Sequence, residues 1–215
     1  MSTSGGHALG ALAALARLRE GNGRFVQNVR SVDSMLSQAA RRSLVLSQTP
    51  IAVILSCSDS RAPAELVFDQ GLGDLFVVRV AGNIVAPSLV GSVEFAAVSF
   101  GTELVVVMGH SHCGAIAATV DGIASHHASK SLSDIVDRIR PAIADVVGAA
   151  MAKVPVDRAA LLAAATRANV RASAAQLRSC SELLAARIAE RRLLVVGAEY
   201  SLETGEVDFF DGVPG

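Results

Sequence analysis

A chain of 215 residues with a formal net charge of −1 and no basic block gives no support to a nucleic acid or an anionic membrane surface as its partner. Charged residues make up 18%, below the roughly 25% of an ordinary soluble domain, and mean hydropathy is +0.45, yet no apolar run approaches the ~18 residues that span a bilayer. This balance is expected of an oligomer that hides apolar surface, with alanine-rich helices as the plainer source of the hydropathy. Three cysteines make no disulfide framework in a chain of this size and are expected as reduced thiols in the cytoplasm.

The first element is a helix over about 8–20, with Leu9, Leu12, Leu15 and Leu18 recurring along it and Gly21-Asn22-Gly23 expected to end it. An amphipathic helix fits Ala8 to Ala16 better than a signal-peptide core, because no Lys or Arg precedes it. Asp33 can cap a second helix running to about Ser47, and Thr49-Pro50 breaks it. Together these form an N-terminal helical arm over about 8–50. Ile51 to Leu55 reads as a buried strand and is followed by Ser56-Cys57-Ser58-Asp59-Ser60-Arg61. Pro63 opens a short helical stretch, and Gly71-Leu72-Gly73-Asp74 turns the chain. Those glycines precede a strand, so they are not a dinucleotide fingerprint, which must follow one.

Leu75 to Val80 is expected as a second strand buried on both faces, and Ser88 to Phe100 as a helix. Leu104 to Met108 is a third strand, ending in Gly109-His110-Ser111-His112-Cys113-Gly114 before a helix through Val120. A polar loop over 121–131 carries His126 and His127, solvated residues or proton relays. Ser133 can cap a helix to about Met151, which Pro141 should kink or divide. A long helical region runs from Asp157 to Glu190, with Cys180 inside it as a packing residue. Leu193 to Val196 is a fourth strand, and Val207 to Phe210 an antiparallel edge strand. Strands alternating with helices predict one α/β domain, its core over about 51–210. The expected sheet has four mostly parallel strands plus the antiparallel edge strand, with helices on both faces.

Two strand ends carry reactive side chains. Cys57, Asp59 and Arg61 stand two residues apart and share a side if the backbone stays extended. In a parallel sheet His110 and Cys113 lie on the same carboxyl edge, where ligand sites gather. Two thiolates and one imidazole form a zinc ligand set that leaves a fourth position open, as catalytic zinc requires. Taken singly, Cys57 reads equally as a small buried apolar residue. Spacing does not choose between His110 and His112, and a closed structural zinc would need a fourth ligand from Cys180, Asp59 or a second histidine.

Cys57-Ser58-Asp59-Ser60-Arg61, followed some fifty residues later by His110-x-x-Cys113-Gly114, resembles the β-class carbonic anhydrases. Asp69 to Arg79 and Gly91 to Ala96 are similar to that family too, and the likeness spans about 8–210. It implies reversible hydration of CO2 to bicarbonate and a proton, with one Zn2+ per chain on Cys57, His110 and Cys113, and His112 a neighbour. It makes Asp59 the base and Arg61 the group that keeps Asp59 ionised and off the metal. Without Arg61, Asp59 could close the site as a fourth ligand. Gln48 would donate its amide to a substrate oxygen. Phe76, Ala81 and Phe95 would form the apolar CO2 pocket, with Gly114 beside it, although the family often has Val at Ala81 and Tyr at Phe95. The absence of Trp together with Gln48 implies no inhibitory bicarbonate pocket. The resemblance also implies a cytoplasmic homodimer or dimer of dimers, N-terminal helices wrapped on the partner and the site at the interface. Competing readings are a zinc hydrolase of COS or CS2 and a non-catalytic zinc or thiol protein.

Overall fold

The computed structural model describes residues 10–29, 41–42, 44–122, 129–152 and 155–214. The elements are α1 (Ala11–Val26), β1 (Ala52–Ser56), α2 (Ala64–Val67), β2 (Leu75–Arg79), a 3-10 turn (Ala81–Asn83) and α3 (Pro87–Ser99). They continue as β3 (Leu104–His110), α4 (Gly114–Val120), α5 (Lys130–Met151), α6 (Arg158–Ser179), α7 (Glu182–Ala189), β4 (Leu194–Tyr200) and β5 (Val207–Asp211). The five strands lie in the order β2-β1-β3-β4-β5. The pairs β1–β2, β1–β3 and β3–β4 are parallel, and β5 closes the far edge antiparallel to β4. The expected α/β architecture, four parallel strands plus one antiparallel edge, is the one formed.

Period-2 alternation splits the sheet residues between two apolar layers. On one face Ile54, Val106, Met108 and Val196 pack with Ala14, Leu15 and Leu18 of α1 and with Ala64, Val67 and Phe68. On the other, Val53, Leu55, Val105, Val107 and Val195 pack with Val93 and Ala97 of α3, Val170 and Leu177 of α6, and Leu184 of α7. A third cluster, of Ile84, Ile116, Ile139, Ile143 and Ala165, surrounds Cys57 and Cys113 beyond the strand ends. β1 and β3 are buried at every residue because both have strands on either side. β2 does not match the expectation of burial on both faces: as an edge strand it leaves Phe76 and Val77 half-buried and Arg79 exposed.

Several boundaries differ from the sequence expectation for identifiable reasons. α1 runs through Gly21-Asn22-Gly23 to Val26. A Cβ on Gly21 would sit 1.9 Å from the Phe68 carbonyl oxygen, so this glycine serves close approach, not helix termination. Asn22 is buried and donates from Nδ2 to the carbonyls of Val67 (3.1 Å) and Gly205 (2.9 Å). Its Oδ1 accepts the Val207 N–H at 2.9 Å. α1 thus packs on its own chain's sheet. The helix expected from Asp33 falls largely outside the described residues, as do His126 and His127; its last part, 44–46, is turn and bend.

Pro141 sits inside an unbroken α5, capped by Ser129 and not by Ser133. Its missing N–H would have met the carbonyl of Asp137, and both residues lie on the exposed side, where water can take that carbonyl. The long helical region divides at Ser181, whose hydroxyl caps α7 by accepting the Leu184 N–H (3.2 Å) and donates to Glu94 (2.5 Å). Cys180 therefore stands exposed at the end of α6, not packed in mid-helix. β4 runs on to Tyr200, past Val196, because β3 beside it continues to His110.

Candidate metal centre

The alternation of β1 sends Val53, Leu55 and Cys57 toward the same layer, and Cys57 is buried just past the strand end. The chain then turns instead of staying extended. The Ala62 N–H bonds back to the Asp59 carbonyl (3.1 Å), while Asp59 Oδ1 accepts the Arg61 N–H (2.9 Å). This is an Asx-type turn, and it brings Asp59 and Arg61 together in place of the expected strand alternation. The Arg61 fork grips the carboxylate through Nε to Oδ1 (3.0 Å) and Nη2 to Oδ2 (2.8 Å). Arg61 holds the Asp59 carboxyl well below the usual carboxylate range, so it stays ionised. The same Nη2 reaches the His112 carbonyl (3.3 Å), linking the two motifs.

His110 is the last residue of β3, and Cys113 is the N-cap of α4. Between them His112 takes a left-handed φ of 55°, which turns the chain tightly enough for both side chains to face Cys57. The Cys57 and Cys113 sulfurs are 4.0 Å apart, and the donor atoms of Cys57, His110 and Cys113 all lie within 4.8 Å of one another. Two thiolates at about 2.3 Å from a tetrahedral zinc stand about 3.8 Å apart, so the sulfur spacing fits such an ion. His110 Nδ1 lies 2.9 Å from the Ser111 carbonyl, which fixes the proton there and leaves a lone pair on Nε2. Among the described residues that buried Nε2 has no hydrogen-bond partner, and it lies 3.8 Å from Asp59 Oδ2. A buried, unpartnered imidazole nitrogen beside two thiols is costly unless a cation takes the lone pair.

Charge in the cluster is shared. The hydrogen bond with Cys113, with help from His110 and the Gly82 N–H, lowers the pKa of Cys57. The same bond with Cys57, together with burial, pushes Cys113 up. Burial disfavours the imidazolium of His110, but the Cys57 sulfur and the Ser111 carbonyl outweigh it and its pKa is raised. Cys113 thus holds a proton that a bound cation would displace.

Several contributors stood outside the sequence reading. Gly82 donates its N–H to Cys57 Sγ (3.4 Å) at φ +70°, where a Cβ would lie 2.7 Å from Ile139 Cδ1. Asn169 of α6 fixes that turn through Nδ2 to the Gly82 carbonyl (2.8 Å). Arg79 spans the loop above, with Nε on the Cys57 carbonyl (3.0 Å) and Nη2 on that of Asp59 (2.6 Å). Glu203, in the β4–β5 turn, pairs with His112 and accepts the hydroxyls of Ser111 (2.7 Å) and Ser201 (3.1 Å). Gly82-Asn83 directly after a strand was a readable turn signal; the partners from α6 and the β4–β5 turn had no local one.

Of the remaining site residues, Ala81 opens the 3-10 turn that touches Cys57, and Gly114 follows Cys113 with open space about its Cα. Gln48, Phe76 and Phe95 lie elsewhere. Phe76 pairs with Val53, four residues before Cys57, or about 13 Å back along the strand. Its ring joins Phe95 (6.2 Å) and Phe100 (6.0 Å) on the open edge of the sheet. Gln48 is exposed and lines a surface cavity of about 570 Å³ with Leu72 and Phe100.

Residues 52–207 match the sequence profile of the carbonic anhydrase family. Carbonic anhydrase 2 of Mycobacterium tuberculosis is 36% identical over 203 residues, covering 94% of each chain. The carbonic anhydrase of Pseudomonas aeruginosa is 38% identical over 179 residues, or 80% of this chain and 78% of that one. The fold is similar to the β-carbonic anhydrase CafA of Aspergillus fumigatus, with a TM-score of 0.72 at 23% identity over 95% of this chain and 92% of that one. It is similar also to a tetrameric β-carbonic anhydrase of Sordaria macrospora, with a TM-score of 0.71 at 24% identity over 79% and 85%. The chain belongs to the β-class carbonic anhydrase family. It is accordingly an enzyme, a lyase acting in CO2 hydration.

Proposed function

We propose that this chain catalyses zinc-dependent reversible hydration of CO2 to bicarbonate and a proton, with one zinc per chain held by Cys57, His110 and Cys113. The observation that carries this reading is the buried, unpartnered Nε2 of His110 facing two thiols, all donor atoms within 4.8 Å. Bound zinc supplies Lewis acidity and an acidified water, less acidified than beside three imidazoles because two thiolates offset the ion's charge. The chain's own groups do the rest. Asp59, with Oδ2 3.8 Å from His110 Nε2, would accept a proton there, and Arg61 keeps that carboxylate ionised through its two hydrogen bonds. The Asp59 side chain retains 17% exposure, enough to pass the proton on to solvent.

Gln48 donates its carboxamide to a substrate oxygen, and Phe76, Ala81 and Phe95 exclude water from CO2, with Gly114 leaving room beside them. Gln48, Phe76 and Phe95 gather about one strand length from their own Cys57, so the pocket they line is that of a second copy. A homodimer, alone or as a dimer of dimers, then completes each site from both chains. Exposed Leu46, Leu72, Phe95 and Val98 support an apolar contact on that edge. The reading includes a cytoplasmic enzyme that acts as one domain.

Stopped-flow CO2 hydration on zinc-loaded chain tests this, beside Cys57→Ala and Asp59→Asn. The expected result is one zinc per chain and activity in the wild type, zinc loss in Cys57→Ala, and in Asp59→Asn retained zinc with a rate about 10²–10⁴-fold lower. A wild type inactive from neutral to alkaline pH with stoichiometric zinc would overturn it.

A further inference from the structure

The tripeptide Cys57-Ser58-Asp59 carries two groups that must stand in fixed relation, a ligand thiolate and the carboxylate beside it. Little of the sheet holds it. The regular pairing of β1 with β2 ends at Ser56, opposite Arg79, and two bonds around Val80 carry the ladder one step further, its N–H to the Ser56 carbonyl (3.1 Å) and the Ser58 N–H to its carbonyl (3.3 Å). The carbonyls of Cys57 and Asp59 lie past the strand pairing, and that of Asp59 also accepts the Ala62 N–H of its own turn (3.1 Å). Arg79, the last residue of β2, takes both: Nε at 3.0 Å from the Cys57 carbonyl and Nη2 at 2.6 Å from the Asp59 carbonyl. Two nitrogens of one rigid plane thus set the separation of two backbone groups, one under the thiolate and one under the carboxylate.

We infer that Arg79 is a positioning residue of the metal centre, whose guanidinium fork fixes Cys57 Sγ relative to the Asp59 carboxylate. It touches neither ligand atom, and these two bonds occupy both arms of the fork. The division of labour with Arg61 is clean: Arg61 orients the carboxylate itself, and Arg79 anchors the backbone that carries it. Geometry and not charge alone is the claim. Lysine, a single point charge on a flexible stem, cannot hold two carbonyls at a fixed spacing. Outer groups that orient metal ligands characteristically change metal affinity about 10–100-fold when removed.

This inference rests on the zinc reading proposed above, and the experiment separates the two. Full-length wild type, Arg79→Lys and Arg79→Gln are compared by zinc retention against a chromophoric chelator. The same chains are read by the thiolate-to-metal charge-transfer band after cobalt substitution and by metal-free melting temperature. Both variants are expected to lose zinc affinity about 10–100-fold and to shift the cobalt band, lysine as much as glutamine, with metal-free melting within a few degrees of wild type. Wild-type affinity and spectrum in Arg79→Lys would overturn the fork and leave charge as the cause. Wild-type behaviour in both variants would overturn any role. Collapse of metal-free melting in both would make Arg79 a structural residue, which also overturns positioning. A wild type that binds no zinc would sink the underlying reading, whatever the variants do.

Discussion

Gly82 couples the candidate metal centre to the fold through a missing side chain, and Gly82→Ala is the perturbation that exposes it. Two costs can be read from the structure. The residue sits at φ +70°, where an L side chain costs roughly 1–2 kcal/mol. The new methyl would lie 2.7 Å from Ile139 Cδ1 and 3.2 Å from Ala115 Cβ, and overpacking of this kind adds roughly 1–3 kcal/mol. The expected destabilisation is therefore about 2–5 kcal/mol, or on the order of 4–20 °C in melting temperature for a chain of this length. Relief of the clash would move the turn and lengthen the Gly82 N–H to Cys57 Sγ bond, so zinc affinity should fall with stability. Denaturant titration of the metal-free chain gives the first quantity and chelator competition the second. Gly148→Ala is the control, because its helical site has nothing within 4 Å of a Cβ and alanine there should stabilise by roughly 0.5–1 kcal/mol. A Gly82→Ala chain within 0.5 kcal/mol of wild type on the scale of single-site effects would refute the argument from φ and contact.

Arg61→Gln should let the Asp59 pKa climb back toward the ordinary carboxylate value, seen by carboxyl-carbon NMR; an unchanged titration would show that Arg61 does not hold it down. Because the folded pKa is depressed, the wild-type pair contributes stability above the ordinary carboxylate pKa and loses it as pH falls through the depressed value, and Arg61→Gln should lack that acid-side loss. Glu203, lowered to about 2 by Ser111 and then His112, has the same sign, so Glu203→Gln should flatten stability between pH 4.5 and 2; an unaltered slope would refute this. Zinc removal leaves the Cys57 and Cys113 sulfurs 4.0 Å apart, so hydrogen peroxide should join them as a disulfide, two thiols and one peroxide giving one bond and two waters. Thiol counting should show two lost in metal-free chain and none of this pair in zinc-loaded chain; equal loss in both states would refute the prediction.

Period and punctuation made most of the sheet legible. Unbroken apolar runs at Ile51 to Leu55 and Leu104 to Met108 became interior strands, each with a parallel neighbour on both sides. β2 reads just as apolar, but its place at the edge is a fact of topology with no local trace. Gly21 and Asn22 carry the composition of a helix stop, yet Gly21 serves a close approach to Phe68, 47 residues away in the chain, and Asn22 bonds Val67, Gly205 and Val207. The cluster of Cys57, His110 and Cys113, a candidate metal site, was legible because each of its three members closes a strand or opens the helix after it. Its supports were not, since Asn169 and Glu203 reach it from elements that only the fold brings near. Asp59 and Arg61 were paired correctly for a different reason: a turn, and not strand alternation, joins them.

The amide of Asn22 has a consequence for the order in which the chain can assemble. Its Nδ2 and Oδ1 are satisfied by partners 183 and 185 residues further on, in the hairpin that carries β5. During synthesis α1 precedes β5, and although Nδ2 can meet the Val67 carbonyl early, the buried Oδ1 lacks this partner until β5 has been made. Full satisfaction of this amide thus requires α1 and β5 to meet, a long-range step of the kind that slows parallel-sheet proteins and prolongs exposure of their apolar faces.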